Sequence, residues 1–140
     1  EAALREHEKK LRDVTASVPG VVYEFELAVD GTPRFPFLSD GLLEMYGFEP
    51  HLAEADATRM FAPVPEEDVP ALHASIARSA ETLEPWRQEY RIRVGGEMKW
   101  IGAHARPRRL DDGRTVWVGL LNDVTSRKET DERLRQAMAS

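Results

Sequence analysis

Hydrophobic positions change their period along this chain, and each change marks a change of element. Over residues 1–17, Leu4, Leu11 and the following Val18 fall seven apart with Val14 between, while the other faces are almost entirely charged. That predicts a helix with one narrow apolar seam, stopped by Pro19-Gly20. Val21, Tyr23, Phe25 and Leu27 then recur every second residue, the period of a half-buried strand. Asp30-Gly31 is a hairpin turn, and Arg34 to Leu38 is the partner strand, where Pro36 argues for an edge position or an early end. From Ser39 to Ser79 the pattern breaks into short helical pieces. Ser39 and Asp40 can cap a turn or two through Met45, with Gly47 closing it. Pro50 to Ala57 reads as another short helix or loop. Pro63-Val64-Pro65 interrupts the chain, and Glu66, Glu67 and Asp68 open a longer helix whose Val69, Leu72 and Ile76 share a face. The last third returns to period two. Tyr90, Ile92 and Val94 point inward, Gly95-Gly96 turns, Met98 to Ala105 comes back, Asp111-Asp112-Gly113 turns, and Thr115 to Leu121 closes.

Helix, two strands, short helices, three strands and helix predict an α+β domain. Its sheet has five antiparallel strands with helices on one face. A length of 140 residues suits one domain, large enough to bury a core with a small internal cavity. The chain begins at Glu1 and shows no apolar signal-peptide core, so it reads as a segment of something longer, placed in the cytoplasm. No apolar stretch is long enough to cross a bilayer, and no membrane contact by this segment is expected. A net charge of −6 and a pI near 5.3 have the wrong sign for a nucleic-acid binder. Cysteine is absent, which removes disulfides, thiolate zinc sites and a cysteinyl nucleophile. His7, His51, His73 and His104 are too scattered to suggest a metal site.

Four stretches in this order resemble the PAS family, in the sensory-box form with a PAC motif. They are Leu11 to Thr15 with Val18 to Tyr23; Ser39-Asp40-Gly41 through Leu43, Tyr46-Gly47 and Pro50; Glu89 to Ile92 with Gly96-Glu97 and Lys99-Trp100; and Gly119 to Lys128. The resemblance covers about residues 11–130. One departure stands where the family usually carries His-Pro-Asp-Asp: here the run is Pro65, Glu66, Glu67, Asp68, and any role of that histidine is not carried over. The resemblance implies a connector helix over 1–18, a PAS core over 19–124, and the start of a signalling helix over 125–140. It implies a ligand pocket between the inner sheet face and the helices. The candidates are Tyr23, Phe25, Phe37, Leu72, Ile76, Tyr90, Ile92, Trp100, Val118, Leu120 and Asn122, with Asn122 and Tyr90 as orienting polar groups. It also implies that the exit junction at Asp123, Thr125 and Arg127 passes the sensed state to an effector in the same full-length chain, such as a histidine kinase or diguanylate cyclase.

The residues themselves support such a junction. Asp123 and Thr125 can bond backbone where strand meets helix, Ser126 and Glu129 have capping-box spacing, and Arg127 can pair with an acidic residue on the domain body. Leu4, Leu11 and Val14 form the expected seam of a homodimer. The cofactor is left open: flavin–cysteinyl photochemistry is excluded by the lack of cysteine, and haem is disfavoured because His73 sits off the apolar stripe of its helix. A pocket enzyme using paired carboxylates is the competing class, but Glu24, Glu26 and Glu89 all fall on the outward phase of their strands. A non-catalytic sensor is expected, with a ligand-free dimerisation spacer as the alternative.

Overall fold

The computed structural model describes the backbone of residues 2–139 and the side chains of residues 6–139. The Leu4 side chain of the expected seam lies outside the described residues. Helix α1 spans Ala2–Thr15, and strands β1 (Val21–Leu27) and β2 (Pro33–Leu38) form the first hairpin. Three short helices follow: α2 (Leu42–Tyr46), α3 (Pro50–Ala55) and α4 (Thr58–Phe61). A 3-10 turn at Glu66–Asp68 leads into the long helix α5 (Val69–Thr82). Strands β3 (Trp86–Val94), β4 (Glu97–Arg109) and β5 (Thr115–Asp123) make the meander, and α6 (Thr125–Ala139) leaves it.

The five strands are antiparallel in the order β2-β1-β5-β4-β3, so the first and last strands of the core lie side by side at its centre. Their register pairs Val21 with Leu121, Tyr23 with Gly119 and Phe25 with Trp117 on the inner face. Gly119 belongs there for steric reasons. A Cβ at this position would collide with the His104 carbonyl oxygen and Ala105 on β4, so only glycine lets the two strands close up.

The edge strand β2 carries a bulge. Three steps from Arg34 to Phe37 lie opposite only two steps from Glu24 to Glu26. The extra residue accommodates Pro36 on an edge, and it also resets the phase. Phe35 joins the inner core, whereas Phe37 pairs with outward Glu24 and lies beneath the Arg12 guanidinium, 5.1 Å from its ring centre. Arg12 fastens α1 to this edge by donating to the Leu38 carbonyl at 3.0 Å and to both Glu54 oxygens at 3.0 and 2.8 Å.

Helix α5 packs on the inner face through Leu72 and Ile76. Two indoles secure it: Trp86 Nε1 donates to Ser75 Oγ and Trp117 Nε1 to Ser79 Oγ, each at 2.9 Å. The acidic residues before α5 do not cap it with their side chains. The Asp68 carboxylate instead accepts from Arg91 Nε and Nη2 on β3, at 2.8 and 2.9 Å.

Candidate functional site

Between the sheet and helices α4 and α5 lies a cavity of about 30 Å³. Its walls come from β1 (Tyr23, Phe25), β2 (Phe35), α4 (Met60, Phe61), α5 (Leu72, Ile76) and the meander (Trp86, Tyr90, Trp117, Leu121). Roughly 10–15 Å³ is enough for one water molecule, so the space has room for a water or two rather than for a large planar cofactor. Aromatic rings crowd one side. Phe25 stands 4.8 Å from Phe35 and 5.4 Å from Trp117, all tilted rather than stacked.

Two phenols, Tyr23 and Tyr90, stand on the cavity wall, and a third, Tyr46, lies beyond it. Tyr46 and Tyr90 share a buried hydrogen bond of 2.7 Å. The Tyr23 hydroxyl is fully buried and has no hydrogen-bond partner among the described residues. Burial pushes the Tyr23, Tyr46 and Tyr90 phenols far above their ordinary value; the neighbouring phenol adds to this at Tyr23 and Tyr90, while the hydrogen bond with Tyr90 partly offsets it at Tyr46. At neutral pH each is an uncharged hydroxyl.

On the opposite face of the sheet stands the exit junction. Val124 N–H donates to the Trp100 carbonyl at 2.9 Å, and the Trp100 N–H donates to Thr125 Oγ1 at 2.9 Å, continuing β4's ladder into the first turn of α6. Asp123 Oδ1 accepts from Thr125 N–H at 2.9 Å. The helix starts at Thr125, so Ser126 lies inside the first turn instead of capping it. Arg127 and Lys128 both pair with Glu89 on β3, Lys128 at 3.1 Å. The Lys128 ammonium also sits 4.4 Å from the Trp100 ring centre, and Arg91 approaches the same ring at 6.0 Å. Held by Lys128 and Arg127, the Glu89 carboxyl lies below the usual carboxylate range.

A profile of the PAS fold matches residues 35–121. This chain belongs to the PAS family. The match to solved structures extends the likeness over most of the domain. A sensory-box histidine kinase/response regulator from Burkholderia thailandensis aligns at TM-score 0.66 and 19% identity, over 91% of this chain and 94% of that one. A domain of a putative light and redox sensing histidine kinase from Haloarcula marismortui gives 0.62 at 16%, over 84% and 99%. The N-terminal domain of a diguanylate cyclase with PAS/PAC sensor from Marinobacter aquaeolei gives 0.59 at 14%, over 76% and 98%. No curated protein sequence matches this chain. These likenesses establish the five-stranded antiparallel PAS fold.

Within this PAS domain, five of the expected pocket residues line the cavity: Tyr23, Phe25, Leu72, Ile76 and Tyr90. Ile92 is fully buried in the core but does not reach it. The other five point elsewhere. Phe37 is turned outward by the β2 bulge and covered by Arg12. Trp100 pairs with Arg91 on the outer face and serves the exit junction. Val118, Leu120 and Asn122 are one residue out of phase with Trp117 and Leu121, and all three are exposed on the outer face. In their place stand Phe35, Met60, Phe61, Trp86, Trp117 and Leu121. Glu26 keeps its outward phase but is buried beneath Arg34 and Arg114, a paired surface carboxylate rather than a pocket acid. His73 is exposed and meets Phe61 edge-on at 5.5 Å. Of the seam, Leu11 is half-buried and Val14 is 65% exposed. Among the described residues no helix is long and apolar enough to span a membrane.

Proposed function

We propose that this domain is the sensory and relay module of a longer signalling protein, of the histidine-kinase or diguanylate-cyclase kind, working in the cytoplasm. A small-molecule cue in the cavity alters the inner sheet face, and α6 carries the change to an effector in the same chain. Alternation along β3 carries this reading. Tyr90 belongs to the cavity wall, while its neighbours Glu89 and Arg91 grip α6 and the start of α5 from the other side. A shift of that strand by a few tenths of an ångström is felt at both places. Asp123, Thr125 and Arg127 are the relay residues in this scheme. The domain itself is read as non-catalytic.

Reversing the Glu89 charge tests the relay. Glu89→Lys should speed hydrogen exchange severalfold over residues 125–139 while leaving the strand amides protected, and should shift effector output in the longer protein. Unaltered exchange in α6 would remove the proposed grip.

Two copies are proposed to pair through the terminal helices, because Val14, Leu134 and Met138 are apolar and uncovered. Leu134 and Met138 are four apart on α6 and therefore share a face. Deleting residues 1–17 should move sedimentation toward monomer, and an unchanged dimer refutes the α1 part of the seam. A second reading, a ligand-free dimerisation spacer, is favoured by one observation: the cavity is small. Native mass spectrometry of the purified domain separates the two, since a co-purifying small molecule belongs only to the sensor.

A further inference from the structure

We infer that the cavity selects a small, neutral, mostly apolar molecule ending in one hydroxyl or carbonyl group, held by the Tyr23 hydroxyl and admitted past Phe61. This rests on the reading that the cavity is a ligand site, and it specifies the chemistry of that site.

The polar end decides the ligand's head group. Tyr46 and Tyr90 share one hydrogen bond of 2.7 Å, so each has a partner, whereas the Tyr23 hydroxyl, buried to 2% exposure, has a donor and acceptor capacity that no described residue uses. A buried hydroxyl left unmet is costly, and a ligand oxygen is one group that removes the cost. The remaining wall is hydrocarbon, aromatic ring and the Met60 thioether, with no side chain charged at neutral pH. A carboxylate, phosphate or ammonium would be buried there without a counter-ion, which strongly disfavours it. Neutrality follows from the wall and a single polar head from Tyr23.

The route follows from what lies behind Phe61. An open apolar groove of about 340 Å³ runs past Leu27, Pro33, Thr58, His73 and Ala77, and it shares Phe25, Phe61 and Ile76 with the cavity. Those three side chains are the partition. Phe25 is fixed in a central strand and Ile76 in the fourteen-residue α5, but Phe61 ends the four-residue α4 and is only half-buried. Its ring touches its neighbours edge-on or tilted, with centroids 6.1 Å from Phe25, 6.2 Å from Phe35 and 5.5 Å from the exposed His73. Swinging it toward the groove joins the two spaces and vacates a ring-sized volume, which is what a ligand larger than water requires.

Phenol, benzene and benzoate form the test set, one ring bearing a hydroxyl, no polar group or a carboxylate. Titrated into the whole domain, they are read by the indole N–H resonances of Trp86 and Trp117, both on the cavity wall. Phenol should saturate with a Kd about tenfold below that of benzene, the difference of one good buried hydrogen bond, and benzoate should leave both resonances unmoved. Tyr23→Phe should erase the preference for phenol over benzene while benzene binding stays. Phe61→Ala should raise association and dissociation rates together. Equal affinity for phenol and benzene, a phenol preference that survives in Tyr23→Phe, or saturable benzoate binding would each overturn the inference while leaving a ligand site in place. If no probe moves either resonance in the wild type or in Phe61→Ala, the ligand-site reading itself falls.

Discussion

Single hydroxyls and single glycines fix how the helices sit on this sheet. Ser79 Oγ donates to the Glu84 carbonyl at 2.8 Å and accepts from the buried Trp117 indole at 2.9 Å, so both of its roles are used. Ser79→Ala leaves an indole N–H buried and unpaired and should lower unfolding stability by about 1–3 kcal/mol. In urea titration the midpoint should fall with little change in slope. Ser75→Ala removes the corresponding bond to Trp86, which is only half-buried, and should cost less because water replaces the lost partner. Gly119 acts through what it lacks. Gly119→Ala must push β4 and β5 apart or strain the His104 peptide, at a cost of about 1–3 kcal/mol or more. A midpoint unchanged by that substitution would show the strands to be less tightly closed than described.

Among the elements, α6 has no buried side chain and is held by backbone bonds to Trp100 and by charge at Glu89. The Glu89 carboxyl lies below its ordinary value because Lys128, then Arg127, favour its charged form. A depressed carboxyl stabilises docking fully above the unfolded value of about 4.3, and the effect disappears as pH falls through the lowered one. Exchange in residues 125–139 should therefore be flat from about pH 8 to about pH 5 at fixed intrinsic rate, and rise only below the ordinary carboxylate range. High salt should loosen α6 at neutral pH, since these groups are partly exposed and screened. Elements of this kind were unevenly legible in the sequence. On β3, charges at Glu89, Arg91 and Arg93 leave one possible inner face, so Tyr90 and Ile92 are placed from the alternation alone. On β5, Val116, Val118 and Leu120 are as apolar as Trp117 and Leu121, and alternation cannot choose between them; the choice is made by register with β1 and by Gly119. A bulge, which period two does not register, exchanged Phe37 for Phe35. Helix α4 did have a local signal. Asp56 Oδ1 accepts from Thr58 N–H at 3.1 Å and from Thr58 Oγ1 at 2.7 Å, and an Asp two residues before a Thr is the pattern that starts a turn. That signal marks the start of the turn that carries Met60 and Phe61.

Seen as a whole, the molecule buries all three of its tyrosines, Tyr23 and Tyr90 on the cavity wall and Tyr46 bonded to Tyr90. Their phenols are raised above 10 in the fold, chiefly by burial, and return to about 10 on unfolding. An acid raised by folding stabilises the fold fully below its unfolded value and loses that contribution as pH climbs toward the folded one. Absorbance at the phenolate band should thus stay silent through pH 10 and then appear together with the loss of tertiary circular dichroism. A phenolate signal titrating smoothly in the folded protein would contradict the burial of this cluster. The face-by-face division of β3 bears on how such domains diversify. Trp86 and Tyr90, of one parity, wall the interior, while Glu89, of the other, holds the outgoing helix and Arg91 the start of α5. Substitutions can therefore accumulate on the first set, changing what is recognised, while the second is inherited intact. A lineage can acquire a new cue without inventing a new output, and an engineer can graft one parity of the strand and keep the other.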